Sequence, residues 1–161
     1  MILYITICTI IIALTRAFSY WGIYVLKDNP IVLIKNVLNL TYVENTGAIF
    51  GSFATHTTVL TIFSLVLLGF TLFFLITNKN KSKFVNICLL LMISGGIGNI
   101  IDRIRLKYVV DFIEPLFVDF AVFNFADCLI TVGAFALIIY LIVDLVKDTK
   151  KEKTVKSNGE N

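Results

Sequence analysis

The sequence predicts an α-helical membrane protein with four transmembrane helices and a small extracytoplasmic β-sheet. Of its 161 residues, 58% are hydrophobic and only 16% are charged, whereas a soluble domain carries about 25% charged residues. Four apolar stretches are each long enough, at about 20 residues, to cross a hydrocarbon core. Two shorter runs of β-branched and aromatic residues lie between the first two stretches, as expected for strands.

The predicted spans cover residues 2–26, 59–76, 84–104 and 126–146. We interpret the first as a retained span, because no basic segment precedes it and no A-x-A-like cleavage site ends it. Arg16 interrupts it. We expect one membrane domain over residues 1–147 and a polar cytoplasmic tail over residues 148–161, disordered from Thr149 onward.

Clusters of lysine set the expected orientation. One cluster lies between the second and third spans and another follows the fourth span: Lys79, Lys81, Lys83, Lys147, Lys150, Lys151, Lys153 and Lys156. The positive-inside rule puts both clusters, and therefore both termini, on the cytoplasmic side. Arg103, Arg105 and Lys107 are a counter-signal at the outer end of the third span, and nearby acidic residues offset them.

The two outer segments are expected to be extended. Residues 31–34 and 37–43 favour two or three short strands, and the second outer segment, residues 105–125, contains Pro115 and is expected to be extended or irregular. Open sheet edges cannot face lipid. The small sheet is therefore expected at the outer boundary between membrane and water.

Two aspartates, Asp111 and Asp127, lie in or beside apolar runs. An ionisable residue there is a functional-site hypothesis, because charge is costly in hydrocarbon. The predicted topology brings both to the outer surface at the same depth, where two carboxyl groups could share a proton. Asn124 is a candidate N-cap that makes Asp127 the third helical residue, where negative charge is favoured. We expect Asp127 to act as base and Asp111 as acid; alternatively, one aspartate caps a helix and the other meets Arg103.

Two further segments contain polar residues that are candidates for a site around the two aspartates. Asn99, Asp102 and Arg103 fall within one helical turn at the end of the third span, so they can bring an amide, a carboxylate and a guanidinium near the aspartates. The alternative is helix packing through the neighbouring glycines, with Arg103 reaching the interface. Asn45 can form a turn with a buried amide, whereas Gly47 and Gly51 can instead be a packing pair.

The sequence gives little support to a metal site, a disulfide framework, a serine-histidine-acid arrangement or a nucleic-acid-binding surface. The cysteines Cys8, Cys88 and Cys128 are far apart in apolar stretches and show neither metal-ligand spacing nor a disulfide framework. His56 is the only histidine, so neither a metal site nor a serine-histidine-acid arrangement is expected. The net charge of +3 is small, and we interpret it as membrane topology and not nucleic-acid binding.

Four motifs in order resemble the lipoprotein signal peptidase (signal peptidase II) family of intramembrane aspartic proteases. They are ENTGAIFG at 44–51, GGIGNIIDR at 95–103, VVDFI at 109–113 and FNFAD at 123–127. The resemblance extends over about residues 1–147. It implies a four-helix peptidase domain with a small extracytoplasmic sheet that cradles the substrate.

The resemblance also implies functional residues and partners. The catalytic pair corresponds to Asp111 and Asp127. The supporting and substrate-binding residues correspond to Asn45, Gly47, Asn99, Asp102, Arg103 and Asn124. The implied substrate is a prolipoprotein with a diacylglyceryl-modified cysteine, cleaved just before that cysteine at the outer face of the bacterial cytoplasmic (inner) membrane. Membrane lipid and globomycin-like inhibitors are expected partners, and neither a cofactor nor a metal is implied.

The first span departs from the family pattern. The family usually carries Asp-Gln-x-Ser/Thr-Lys where this chain has Thr15-Arg16-Ala17-Phe18-Ser19, and Ala121 stands where a proline is common. Arg16 is expected to reach the interface or to meet Asp102 or another acidic group. One alternative is therefore a catalytically impaired paralogue that binds lipoprotein or lipid without cleavage. A proton-coupled carrier would need midplane charges and repeat symmetry, and neither is apparent.

Overall fold

The computed structural model describes residues 2–47, 57–77 and 82–159. In chain order, its elements are α1 (Ile2–Trp21), a π-helical segment (Gly22–Leu26), β1 (Ile31–Ile34), β2 (Leu38–Asn45), α2 (Thr57–Thr77), α3 (Lys83–Leu106), β3 (Val109–Pro115) and α4 (Phe125–Gly159). The predicted fold class, four long apolar helices with a small sheet, is confirmed.

Each of the four helices has the length and apolar composition of a membrane span. In the described part of the chain these candidate spans are Ile2–Leu26, Thr58–Thr77, Lys83–Leu106 and Phe125–Lys150, within four residues of the predicted limits. More than half of the α3 span is buried, against 11% or less of the other three. The third span is therefore the centre of the bundle, and α1, α2 and α4 pack around it.

The end of α4 differs from the prediction. The helix continues to Gly159, so the expected disorder is wrong for residues 149–159. The tail is polar, but it contains no proline, and its only glycine, Gly159, is the last helical residue. Its lysines and Glu152 are good helix formers, so polarity alone does not end the helix.

Glycines bring the helices of the bundle into close contact. A Cβ at Gly133 of α4 would lie 2.7 Å from the carbonyl oxygen of Cys88 on α3, and one at Gly95 would overlap the carbonyl of Ala126. On the other side of α3, a Cβ at Gly98 would lie 2.6 Å from Oγ1 of Thr15. Small residues allow such backbone approach between membrane helices.

The sheet joins both outer segments. Its strand order is β1-β2-β3 with antiparallel pairing throughout. The register sets Val43 opposite Asp111 and Asn45 opposite Val109. The sequence predicts the strands of the first segment and only an extended or irregular second segment. The second segment in fact adds the strand that carries Asp111.

Two residues with positive φ direct the chain into the strands. Asn36 (φ 59°) lies in the turn between β1 and β2, and Lys107 (φ 71°) ends α3 by donating its N–H to the carbonyl of Arg103 at 3.2 Å. Only two residues then separate α3 from β3. Part of the ENTGAIFG motif (residues 48–51), His56, Lys79 and Lys81 lie outside the described residues.

Candidate active site

Asn124 caps the N-terminus of α4 and fixes Asp127. Its Oδ1 accepts from the backbone N–H of Asp127 at 3.0 Å, and its own N–H donates to Oδ2 of Asp127 at 3.1 Å. This reciprocal pattern is a capping box, which satisfies two backbone donors at the helix start. The predicted N-cap at Asn124, with Asp127 as the third helical residue, is therefore observed.

Asp111 is held by two asparagine side chains. Nδ2 of Asn45, at the end of β2, donates to Oδ2 of Asp111 at 2.7 Å. Nδ2 of Asn124 donates to Oδ1 at 2.7 Å. Each carboxyl oxygen of Asp111 therefore accepts a hydrogen bond from an amide, and the two amides orient the carboxyl group. Only 1% of Asp111 is exposed.

A third asparagine joins the two aspartates into one hydrogen-bonded network. Nδ2 of Asn99 donates to Oδ1 of Asp127 at 2.8 Å, and Oδ1 of Asn99 accepts from Asn124 at 3.2 Å. The network therefore runs from Asp111 through Asn124 and Asn99 to Asp127. It draws on the sheet, α3 and α4, which are far apart in the sequence.

The aspartates line one cavity of about 630 Å³. Its polar lining includes the predicted site residues Asn45, Asn99 and Arg103. Its walls are mainly apolar and come from α2, α4 and the segment before α4: Leu60, Phe63, Phe120, Ala121, Val122, Phe123, Ile130 and Val132. A few polar groups converging in a largely apolar cavity of this size are typical of a ligand or active site.

Burial raises the pKa of the Asp111 carboxyl group to about 7, and the negative charge of Asp127 acts in the same direction. The hydrogen bonds from Asn45 and Asn124 and the positive charge of Arg103 oppose this shift but do not cancel it. Desolvation and a nearby like charge both disfavour ionisation. Asp111 therefore keeps its proton over most of the acidic range.

The remaining predicted site residues take different positions. Gly47 donates its N–H to Oδ1 of Asn45 at 2.9 Å, which orients that amide. Arg103 lines the cavity, and among the described residues no hydrogen bond or ion pair reaches its guanidinium. Asp102 points away from the cavity and pairs with Arg16 of α1. The alternative in which an aspartate of the pair meets Arg103 is thus not seen, although Asp127 does take part in the capping box at the start of α4.

The cavity also contains residues that the sequence did not single out for chemistry. Cys128 and Thr131 line it from α4, and Ser64 lines it from α2.

Outside the cavity, Arg16 and Ser19 form a polar cluster with Asp102 behind Asn99. In the sequence, this cluster was indicated by Arg16, a cation within an apolar helix. Within the described ranges, no group of three or more His, Cys, Asp or Glu side chains is arranged to hold a metal ion.

Comparison with known proteins gives concordant matches. Residues 6–143 match the family described as signal peptidase (SPase) II. A lipoprotein signal peptidase of Streptococcus thermophilus (strain CNRZ 1066) is 39% identical over 132 residues, which cover 81% of this chain and 86% of the relative. One from Streptococcus pyogenes serotype M5 (strain Manfredo) is 35% identical over 140 residues, covering 86% and 92%.

Two solved structures share the fold. Both are described as bacterial membrane enzymes determined by the in meso method, at 2.3 Å and 1.9 Å resolution. The first aligns with a TM-score of 0.81 at 28% identity and covers 88% of each chain. The second aligns with a TM-score of 0.76 at 28% identity, over 86% of this chain and 91% of the solved one.

Proposed function

The chain belongs to the signal peptidase II family, and from this premise we propose that it is an aspartic endopeptidase. Its substrates are prolipoproteins whose cysteine carries diacylglycerol, and it cleaves the peptide bond just before that cysteine. One observation carries the aspartic assignment: Asp111 and Asp127 line the same cavity and are joined through Asn124.

Hydrolysis by this pair requires one acid and one base. Asp111 supplies the acid, because its raised pKa keeps a proton available to the scissile carbonyl oxygen. Asp127 supplies the base. Donors from Asn99 and Asn124 and the N-terminus of α4 stabilise its ionised form. In the reaction, Asp127 takes a proton from water, the water oxygen attacks the carbonyl carbon, and Asp111 protonates the carbonyl oxygen. As the tetrahedral intermediate collapses, Asp127 gives the proton taken from water to the leaving nitrogen, and Asp111 takes back a proton from the hydroxyl group. The C–N bond breaks, which releases the amine and the new carboxyl group.

The apolar walls of the cavity suit a lipid-bearing substrate. Phe63 of α2 and Val132 of α4 extend the cavity along the spans, away from Asn45 and the sheet. Acyl chains bind along the apolar part, and the peptide bond lies at the polar end beside the aspartates. A cyclic peptide such as globomycin binds the same cavity in this proposal.

The proposed orientation puts the aspartates at the outer face of the bacterial cytoplasmic membrane. Lys83 begins α3 and Lys147 lies near the end of the fourth span, Phe125–Lys150, so both are at the ends of their spans away from the site. Basic residues favour the cytoplasmic side. Both termini are then cytoplasmic. Residues 1–147 form the peptidase domain, and residues 148–161 form a cytoplasmic tail that begins as a continuation of α4.

The impaired-paralogue alternative receives no support. This alternative was based on the altered first span. Arg16 in that span pairs with Asp102, so it is not an isolated cation. All three asparagines and both aspartates of the site are present and connected.

The test is cleavage of a purified diacylglyceryl-modified prolipoprotein by the purified full chain in detergent. Mass spectrometry is expected to find a product whose N-terminal residue is the lipidated cysteine, and the same prolipoprotein without its lipid is expected to remain intact. Cleavage elsewhere, or equal cleavage of the unlipidated form, would contradict the proposed substrate class.

A further inference from the structure

A buried ionic cluster lies behind the site, on the α1 side of α3. The guanidinium of Arg16 pairs through Nη2 with Oδ1 of Asp102. Oγ of Ser19, one turn further along α1, lies 3.1 Å from Oδ1 and 3.0 Å from Oδ2 of the same carboxylate. Asp102 is 3% exposed and the Arg16 side chain 15% exposed. Removing one partner of such a pair leaves a buried charge uncompensated.

The same cluster fixes the backbone of α3. Nη1 of Arg16 donates to the carbonyl oxygen of Gly98 at 2.8 Å. Thr15 packs directly on Gly98, where a Cβ atom would lie 2.6 Å from Oγ1. One turn of α1, residues 15–19, is thereby attached to one turn of α3, residues 98–102, by an ion pair, a backbone hydrogen bond and close packing.

That turn of α3 also carries Asn99. Asn99 follows Gly98 directly and donates to Asp127 at 2.8 Å while accepting from Asn124 at 3.2 Å. The Arg16 cluster therefore holds one face of the turn, and the catalytic pair is attached to the other. The orientation of Asn99 depends on how firmly this turn is held.

A small cavity borders both groups of residues. It measures about 10 Å³, and its lining includes Arg16, Ser19, Asp102, Asn99 and Asn124. Nε of Arg16 is buried and has no hydrogen-bond partner among the described residues. A single water molecule needs about this volume, and there it would give Nε an acceptor next to the amides of the site.

We propose that Arg16 is a positioning residue for the peptidase reaction. Through Asp102 and the Gly98 carbonyl it holds the α3 turn that aims Asn99 at Asp127, and it touches neither the substrate nor the reacting atoms. This inference rests on the proposed function. It assigns a role to the cation that marks the departure of this chain from the usual first-span pattern.

The experiment compares Arg16→Gln, Asp102→Asn and the double variant, with kcat and KM measured on the diacylglyceryl-modified prolipoprotein. Arg105→Gln is the matched control, because Arg105 also joins α3 to α1, through Tyr20, but on the exposed surface away from the aspartates. We expect kcat of Arg16→Gln to fall by about 10²-fold, the loss that a displacement of about 1 Å causes, while KM is unchanged and Arg105→Gln behaves as wild type.

Two readouts separate positioning from a general loss of structure. Because Arg16 acts through Asp102, the double variant is expected to lose no more kcat than either single variant. Adding Ser19→Lys to Arg16→Gln puts a new cation beside Asp102 and is expected to restore kcat.

Distinct results would overturn the inference. Unchanged kcat in Arg16→Gln, or a double-variant loss equal to the product of the single losses, contradicts it. So does a kcat loss that disappears once activity is expressed per folded molecule, determined from melting curves in the same detergent. If the unsubstituted chain cleaves and Arg16→Gln cleaves equally well, this inference alone fails. If the unsubstituted chain does not cleave, the proposed function fails with it.

Discussion

Asn124 donates a 2.7 Å hydrogen bond from Nδ2 to Oδ1 of Asp111, although Asp111 lies in β3 and Asn124 stands at the start of α4. The same residue caps α4 and contacts Asp127 through its backbone. One side chain therefore sets the spacing between the strand that carries one aspartate and the helix that carries the other.

Asn124 is expected to serve both stability and turnover, and two substitutions separate these roles. Asn124→Ser keeps a side chain that can cap α4, whereas Asn124→Ala removes the cap at a cost of about 1 kcal/mol. Both variants lose the donor to Asp111, so kcat is expected to fall by about 10²-fold in both. Melting temperature and kcat are measured on the same samples. Native turnover in Asn124→Ser would show that the contact with Asp111 is dispensable.

The pH dependence of turnover is expected to follow Asp111. Burial raises its pKa to about 7, and the protonated form is the proposed acid. Above that pH, kcat/KM should fall by about tenfold per pH unit as the acid loses its proton. A flat profile between pH 7 and 9 would remove Asp111 from the role of acid.

The same raised pKa predicts a change in stability with pH. The folded protein holds the Asp111 proton at pH values where the unfolded chain, with an ordinary carboxyl pKa of about 4, has lost it. The free energy of unfolding should therefore fall as pH rises from about 4 to about 7 and then level off. Chemical or thermal unfolding in detergent measures this decline, which should become shallower in Asp111→Asn.

Cys128 lines the cavity next to Asp127, the proposed base, so its role needs a separate test. A nucleophilic cysteine usually has a cationic partner such as histidine or lysine, but the residue beside Cys128 in the sequence is Asp127, whose carboxylate would repel a thiolate. We expect Cys128→Ser to retain most of the wild-type kcat. Trapping of a covalent acyl-enzyme on Cys128, or loss of turnover in Cys128→Ser, would favour cysteine chemistry over hydrolysis by the aspartates.

The close packing of α3 and α4 predicts an asymmetry between two glycines. In Gly133→Ala the new Cβ would lie 2.7 Å from the Cys88 carbonyl and 2.9 Å from Cγ of Met92, whereas in Gly69→Ala it would meet nothing within 4 Å. Overpacking typically costs about 1–3 kcal/mol, so Gly133→Ala should lower the melting temperature and Gly69→Ala should not. Equal melting temperatures would show that the two helices can separate without cost.

The sequence predicted the spans well because length and apolar composition are local properties. The strands β1 and β2 were also predicted, since β-branched residues mark each of them. The pairing of β3 with β2 was not, because Val43 and Asp111 are distant in the sequence and nothing local specifies their register. The helical end of α4 was missed because its polarity was interpreted as disorder, although its residues favour a helix.

For the candidate site, the motifs suggested the residues but not their contacts. The N-cap at Asn124 was predictable, because a cap depends on residues three apart. The link from Asn124 to Asp111 and the link from Asn99 to Asp127 depend on how β3, α3 and α4 meet. The partner of Arg16 was one of several left open by the sequence, and the geometry selects Asp102 because Ser19 and Gly98 complete its surroundings.

The most direct measurement of the central claim is kcat for Asp111→Asn and Asp127→Asn on the diacylglyceryl-modified prolipoprotein. The matched control is Asp144→Asn, which changes an exposed aspartate of α4 away from the site. Folding is checked by melting temperature and globomycin binding. The Asp111→Asn and Asp127→Asn variants are expected to stay folded and lose all detectable cleavage, while Asp144→Asn cleaves as wild type. Cleavage at the native rate by Asp111→Asn or Asp127→Asn would contradict catalysis by this pair.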